Sequence, residues 1–167
     1  VKTSVIDFAP HVLPNFLDPE LSEYVENKMA DAGIMPMTGV ALEGVEGDSK
    51  VEKVLTSKRA MKADALVLAI GIRPNTAFLE GTGIEMFKGA VLTDQHMRTN
   101  VADIYAAGDC AMVTNRQTGK PAWSPMGSTA NISGRILAQN LAGKELAYPG
   151  VLGTGVAKLP GGLNVGR

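Results

Sequence analysis

The chemistry this chain could carry centres on Gly108-Asp109, which follows the short apolar stretch Ile104 to Ala107. A carboxylate at the C-terminal end of a strand can accept charge-assisted hydrogen bonds from the hydroxyls of a sugar alcohol. Gly108, without a Cβ, would let the backbone come close to such a ligand. A plain Gly-Asp turn is the other reading of the same two residues. The second candidate is the start of a helix expected from about Pro125 to Leu141, with Gly143 as its stop. Its first turn would present unpaired N–H groups and about half a positive charge. That field would stabilise negative charge developing on a bound group. Gly127, Ala130 and Gly134 also read as a small-residue face for close packing, and the two readings are compatible.

Three further residues could touch a ligand. Asp7 closes the strand-like segment Lys2 to Asp7, where an acid can accept hydrogen bonds from ribose hydroxyls and repel a 2′-phosphate. It could equally be a solvated strand end. Phe16, a lone aromatic in a loop, reads by itself as packing, and a ligand role for it comes only with the resemblance given below. Gly71 could bring backbone close to a ligand or merely end a strand. Other chemistries find no support. Cys110 is the single cysteine, so an internal disulfide or CxxC pair is excluded, and it reads as structural. His11 and His96 are isolated and have no metal-ligand spacing. Ser124, Ser128 and Ser133 lack a GxSxG elbow. Gly81-Thr82-Gly83 and Gly153-Thr154-Gly155 lack the third glycine between strand and helix that a GxGxxG loop needs.

The elements that must hold these residues read as follows. Asp18-Pro19-Glu20 opens a helix, with Asp18 as N-cap and Pro19 at the first helical position. Leu21, Val25, Met29 and Ala32 recur at helical spacing as its buried stripe, and Gly33 ends it. Strands follow at Ile34–Thr38, Val40–Val45 and Val51–Thr56, with a turn at Gly47-Asp48. Asp64 to Gly71 is a continuous apolar run of the kind that forms a strand buried on both faces. Short strands are expected at 90–92 and 104–107, and a variable polar loop at 115–121.

The bulk composition narrows the class. With 45% hydrophobic and 20% charged residues and a net charge of −1, the chain is globular and has no basic surface. Nucleic acid and anionic membranes are therefore not expected partners. The apolar run Ala65 to Ile70 is too short to cross a bilayer. The β-like start shows no signal peptide. A cytoplasmic setting is the expectation.

Four segments, in this order and spacing, resemble the signatures of the FAD-dependent pyridine nucleotide–disulfide oxidoreductases. They are Leu66 to Asn75 (LVLAIGIRPN), Met97 to Asn100 (MRTN), Asp103 to Ala111 (DIYAAGDCA) and Ala130 to Arg135 (ANISGR). Leu13 to Asp18 and the tail Leu152 to Lys158 are similar to the NADH oxidase, coenzyme A-disulfide reductase and persulfide reductase branch. The resemblance implies an α/β fold of partial Rossmann-like, three-layer units with an antiparallel meander, their first strands and glycine loops missing. Residues 1–77 would be the back part of an NAD(P)-binding domain, 78–148 the back part of an FAD-binding domain, and 149–167 the start of an interface domain. It also implies FAD contacts at Asp109 (ribityl chain), Gly108, Met126, Gly127 and Ser128, and NADH contacts at Asp7, Phe16 and Gly71. NADH is expected ahead of NADPH. The redox cysteine of the family would lie upstream of Val1, so this chain alone should be inert. The whole protein would be a homodimer passing hydride from NADH through FAD to a cysteine-based centre and a disulfide, persulfide or dioxygen. The alternatives are a ferredoxin- or rubredoxin-reductase-type electron-transfer flavoprotein and a non-catalytic dimerisation domain.

Overall fold

The computed structural model of the chain describes residues 1–159 and 162–166. Two compact units divide it: residues 1–70 with the tail from Thr154, and Gly71–Gly153.

The first unit begins as a β-α-β crossover. Strand β1 (Thr3–Ile6) leads through a loop to α1 (Pro19–Asp31) and on to β2 (Ile34–Met37), which pairs with β1 in parallel from Thr3↔Ile34 to Ile6↔Met37. Pro19 takes the first helical position, where its missing N–H costs nothing. Asp18 has the extended N-cap backbone, but its side chain makes no capping bond. Gly33 adopts φ +78° just beyond the helix, the left-handed stop that glycine accepts without strain.

The buried face of α1 differs from the expected stripe. Ser22, Val25 and Met29 are buried, whereas Leu21 is 54% exposed and Ala32 also faces solvent. The reason is polar. The Ser22 hydroxyl donates to the Val12 carbonyl at 2.8 Å, and the Val12 amide donates to the Glu26 carboxylate at 2.9 Å. Residues 22, 25, 26 and 29 lie on one helical face, so these two bonds fasten the loop across it. Val12, Val25, Met29 and Val165 form the core beneath, with Leu13, Phe16, Leu17 and Ile34 packed around them.

An antiparallel meander follows: β3 (Leu42–Glu46), β4 (Lys53–Thr56) and β5 (Ala60–Lys62), in the order β3-β4-β5. The third strand is an addition to the expected pair. Gly47 turns the first hairpin at φ +149°, and a Cβ there would stand 1.8 Å from the Lys50 carbonyl oxygen.

The apolar run after the meander is the main correction. Asp64 to Gly71 forms no strand, and no described strand pairs with it. Val67 and Ile70 are 86% and 85% exposed, and Leu68 and Ile72 also face solvent. An apolar sequence states a need for burial. It does not supply the neighbours that bury it.

The second unit is built from hairpins and one helix. A 3₁₀ turn at Ala77–Leu79 precedes β6 (Met86–Phe87) and β7 (Ala90–Val91), then a second 3₁₀ turn at Gly108–Cys110. β8 (Met112–Thr114) and β9 (Pro121–Trp123) form an antiparallel hairpin, and α2 (Gly127–Leu141) follows. The polar loop expected at 115–121 is thus mostly the tip of a hairpin, closed by the Asn115 side chain accepting from the amides of Gln117 and Thr118. The strand expected at 104–107 reduces to one bridge between Tyr105 and Arg98. Met97, Val113 and Tyr148 form the core, with Ala107, Ile136, Leu137 and Val151 against them. In the tail, β10 (Val156–Lys158) and β11 (Asn164–Gly166) pair antiparallel and place Val165 in the core of the first unit.

Replacing Ser22 by Ala would leave the Val12 carbonyl without its donor on a buried face. The expected loss is about 1–3 kcal/mol of unfolding free energy, read as a lower urea midpoint at unchanged slope.

Candidate functional site

The Gly108–Cys110 turn is held as a backbone object. Gly108 has φ +81°, a conformation that costs an L-residue about 1–2 kcal/mol but glycine nothing. A Cβ on it would sit 3.7 Å from Ala130 Cβ, so the turn lies directly on α2. Its amide donates to the Ser133 hydroxyl at 3.3 Å, and its carbonyl accepts from the Ala111 amide at 3.0 Å. The Asp109 carbonyl accepts the Trp123 indole N–H at 2.7 Å. The Asp109 side chain, by contrast, is exposed and makes no hydrogen bond or ion pair among the described residues. A carboxylate in that state can accept hydrogen bonds from hydroxyls brought to it.

Helix α2 supplies the neighbouring polarity. Met126 takes the extended N-cap backbone (φ −127°, ψ 139°), with no side-chain cap, and the first intrahelical bond runs from Ala130 N–H to the Met126 carbonyl. The amides of Gly127, Ser128 and Thr129 are therefore left without an intrahelical partner, at the positive end of the dipole. Met126, Gly127 and Ser128 are all exposed. Below them Thr129 and Ser133 are buried, and Thr129 shares a hydrogen bond of 3.0 Å with Ser124. Of the small residues on this helix, Ala130 makes the close approach to the turn, while Cβ positions at Gly127 and Gly134 face open space.

The structure thus brings Gly108 and Asp109 onto the helix that begins with Met126, Gly127 and Ser128. Asp7 and Phe16 lie in the other unit. Asp7 ends β1; its Oδ1 accepts the Ala9 amide at 2.9 Å, and its backbone bonds Met37 and Val40. One carboxylate oxygen is therefore used to turn its own loop. Phe16 packs on the core cluster of the first unit, with its ring edge 3.8 Å from where a Cβ on Gly155 would stand. Gly71 has φ +92° and open space around it. A concavity of about 600 Å³ among Lys2, Ser4, Met35, Arg59 and Lys62 contains none of these residues.

Cys110 places its Sγ 3.4 Å from the Ala107 carbonyl oxygen, a local contact. His11 lies 3.7 Å from Glu26, and His96 contacts Gln95 and the Leu146 carbonyl. Among the described residues no group of three His, Cys, Asp or Glu could hold a metal, and no helix is long and apolar enough to cross a membrane.

Trp123 and Ser133 are the residues that sequence reasoning missed. Ser133 falls within a recognisable segment, but nothing in a linear pattern says that its hydroxyl meets a turn 25 residues away. Trp123 is the single tryptophan, which is the only linear sign it carries.

Comparison with known proteins agrees with this architecture. The family model of the pyridine nucleotide-disulphide oxidoreductases matches residues 1–130. The NADH oxidase of Methanocaldococcus jannaschii is 36% identical over 162 residues, 97% of this chain and 36% of that protein. The NAD(P)H coenzyme A polysulfide/persulfide reductase of Pyrococcus horikoshii is 36% identical over 148 residues, 88% of this chain and 33% of that protein. The crystal structure of an FAD-dependent pyridine nucleotide-disulphide oxidoreductase from Desulfovibrio vulgaris superposes with a TM-score of 0.85 at 37% identity, over 95% of this chain and 41% of that one. The chain spans about a third of the length of the two curated relatives. With a family match over residues 1–130 and likenesses that extend over nearly all of the chain, this polypeptide belongs to the pyridine nucleotide-disulphide oxidoreductase family.

Proposed function

We propose that this chain forms part of a flavoprotein oxidoreductase in which Asp109 holds the ribityl chain of FAD. The observation that carries the reading is the free carboxylate of Asp109 on a backbone-locked turn that rests on the uncapped start of α2. The residues present fit the group. Pentitol hydroxyls are donors, and the Asp109 carboxylate is an acceptor with no other duty. A flavin pyrimidine edge gains negative charge on reduction, and the amides at Gly127 and Ser128 are donors at the positive end of a helix. Gly108 would border the ligand as part of the same turn, its own amide and carbonyl being bonded to Ser133 and Ala111.

When bound, FAD would supply the redox chemistry that links NADH, through a cysteine-based centre, to a disulfide, persulfide or dioxygen. This chain's own residues bind and orient. Asp109 would hold the sugar-alcohol chain, and the first turn of α2 would direct its amides and the positive end of its dipole at the pyrimidine edge. Asp7 at the end of β1 would accept a ribose hydroxyl with the carboxylate oxygen not bonded to Ala9, and would repel a 2′-phosphate, which favours NADH. The left-handed Gly71 would admit the nicotinamide side of the cofactor, and Phe16 would border the adenosine. Under this reading residues 1–77 serve the nicotinamide cofactor and 78–148 the flavin, with the tail from 149 beginning an interface domain. The relatives named NADH oxidase and persulfide reductase support a dioxygen or sulfur acceptor. The whole protein would work as a cytoplasmic homodimer.

The exposed run at Val67, Leu68, Ile70 and Ile72 supports a requirement for further polypeptide. Burying each such side chain is worth about 1.5–3 kcal/mol, a strong drive to find a strand partner. The 167-residue chain alone is therefore proposed to be inactive.

Two measurements test this. In the full-length protein, Asp109→Ala should weaken FAD binding about ten- to a hundredfold, as expected for a lost charge-assisted hydrogen bond, and unchanged flavin retention would overturn the assignment. Hydrogen exchange should show the amides of Val67 to Ile70 strongly protected in the full-length protein and fast in the isolated chain. Fast exchange in both would remove the strand-partner argument.

A further inference from the structure

The turn that presents Asp109 is bonded from two sides by residues that touch no expected ligand position. From β9, the Trp123 indole N–H donates to the Asp109 carbonyl at 2.7 Å. From the second turn of α2, the Ser133 hydroxyl accepts the Gly108 amide at 3.3 Å. Each bond is directional for a chemical reason. Tryptophan has one donor and no acceptor, so its only polar contact is spent on this carbonyl. The Ser133 hydroxyl commits its one hydrogen within the helix, to the Thr129 carbonyl at 2.7 Å with the Ala130 carbonyl at 3.3 Å beside it. Both of its lone pairs stay available as acceptors, and at 0% exposure Ser133 turns them to the protein interior. The Gly108 amide donates to one of them, and among the described residues it has no other partner.

Trp123 is itself located by the hairpin, where it pairs with Met112, a residue 3% exposed in β8 immediately beyond the turn. The three elements thus close a loop of contacts: turn to β8 through the chain, β8 to β9 through the ladder, β9 back to the turn through the indole. Ser133 ties the same turn to the helix. Gly108 and Asp109 thus each carry one backbone hydrogen bond to a side chain outside the turn.

We infer that Trp123 and Ser133 are positioning residues that set the direction of the Asp109 carboxylate relative to the first turn of α2, and so govern flavin affinity without touching the flavin. The inference rests on the reading of Asp109 as a flavin ligand. It predicts that losing either bond lets the carboxylate wander and weakens FAD only through Asp109.

The test is a double-mutant cycle on FAD dissociation constants in the full-length flavoprotein. Trp123→Phe keeps the ring and deletes the donor; Ser133→Ala deletes the acceptor. Each should weaken FAD about three- to tenfold while Asp109 is present, the loss expected of one hydrogen bond. Each should add no further loss in the Asp109→Ala background. Equal losses in both backgrounds would mean a merely structural role and overturn the inference. So would unchanged affinity in both variants while Asp109→Ala binds poorly, which leaves the flavin reading standing. Unchanged affinity in Asp109→Ala itself overturns both. Should Trp123→Phe not fold, the Ser133→Ala arm decides by the same comparison.

Discussion

A carboxylate is available to a ligand only when the protein has not already used it, and it is useful only when its backbone cannot drift. Asp109 meets both conditions through a division of labour within one residue. Its carbonyl is bonded to Trp123, and the amide of the preceding Gly108 to Ser133, while its side chain has no partner among the described residues. The left-handed glycine makes the turn possible, and the hydrogen bonds make it rigid. Everything else in the second unit follows from placing that turn: hairpin β8–β9 brings the indole, and α2 brings the hydroxyl and its own uncapped amides.

Asp7 shows what happens when the first condition is only half met. It follows strand β1 directly, and one of its oxygens folds the following loop by accepting from Ala9. The loop then has structural duties of its own, since Val12 is bonded to both Ser22 and Glu26 and buried with Val25 and Met29. Phe16 belongs to the same packing. A ligand-binding role there has to share residues with the core, whereas Asp109 shares only its backbone.

The uncovered run from Val67 to Ile72 places a different demand on the fold. Its composition is that of a strand buried on both faces, and among the described residues it has neither a ladder partner nor cover. Water can satisfy the unpaired backbone but not the apolar side chains, so this segment has much to gain from a neighbour that covers it.

Much of this protein could be read from its residues alone. Local rules were enough for β1, for α1 with Pro19 at its start and Gly33 at its end, and for the helix after Pro125, because each depends on neighbours within a few positions. The signature segments were enough for the family, since their order and spacing survive in the linear text. What linear reading got wrong needed contacts between distant residues. Leu21 belonged to the expected stripe, but the buried face was chosen by hydrogen bonds to Val12, ten residues from Ser22. The strand expected at 64–71 has the right residues and no described partner, and a ladder is a property of two segments. Asp109 was visible as a carboxylate after a glycine. Only the tertiary structure decided that its backbone is clamped by Trp123 and Ser133 while its side chain stays free, because hydrogen bonds spanning 14 and 25 residues leave no trace in sequence order.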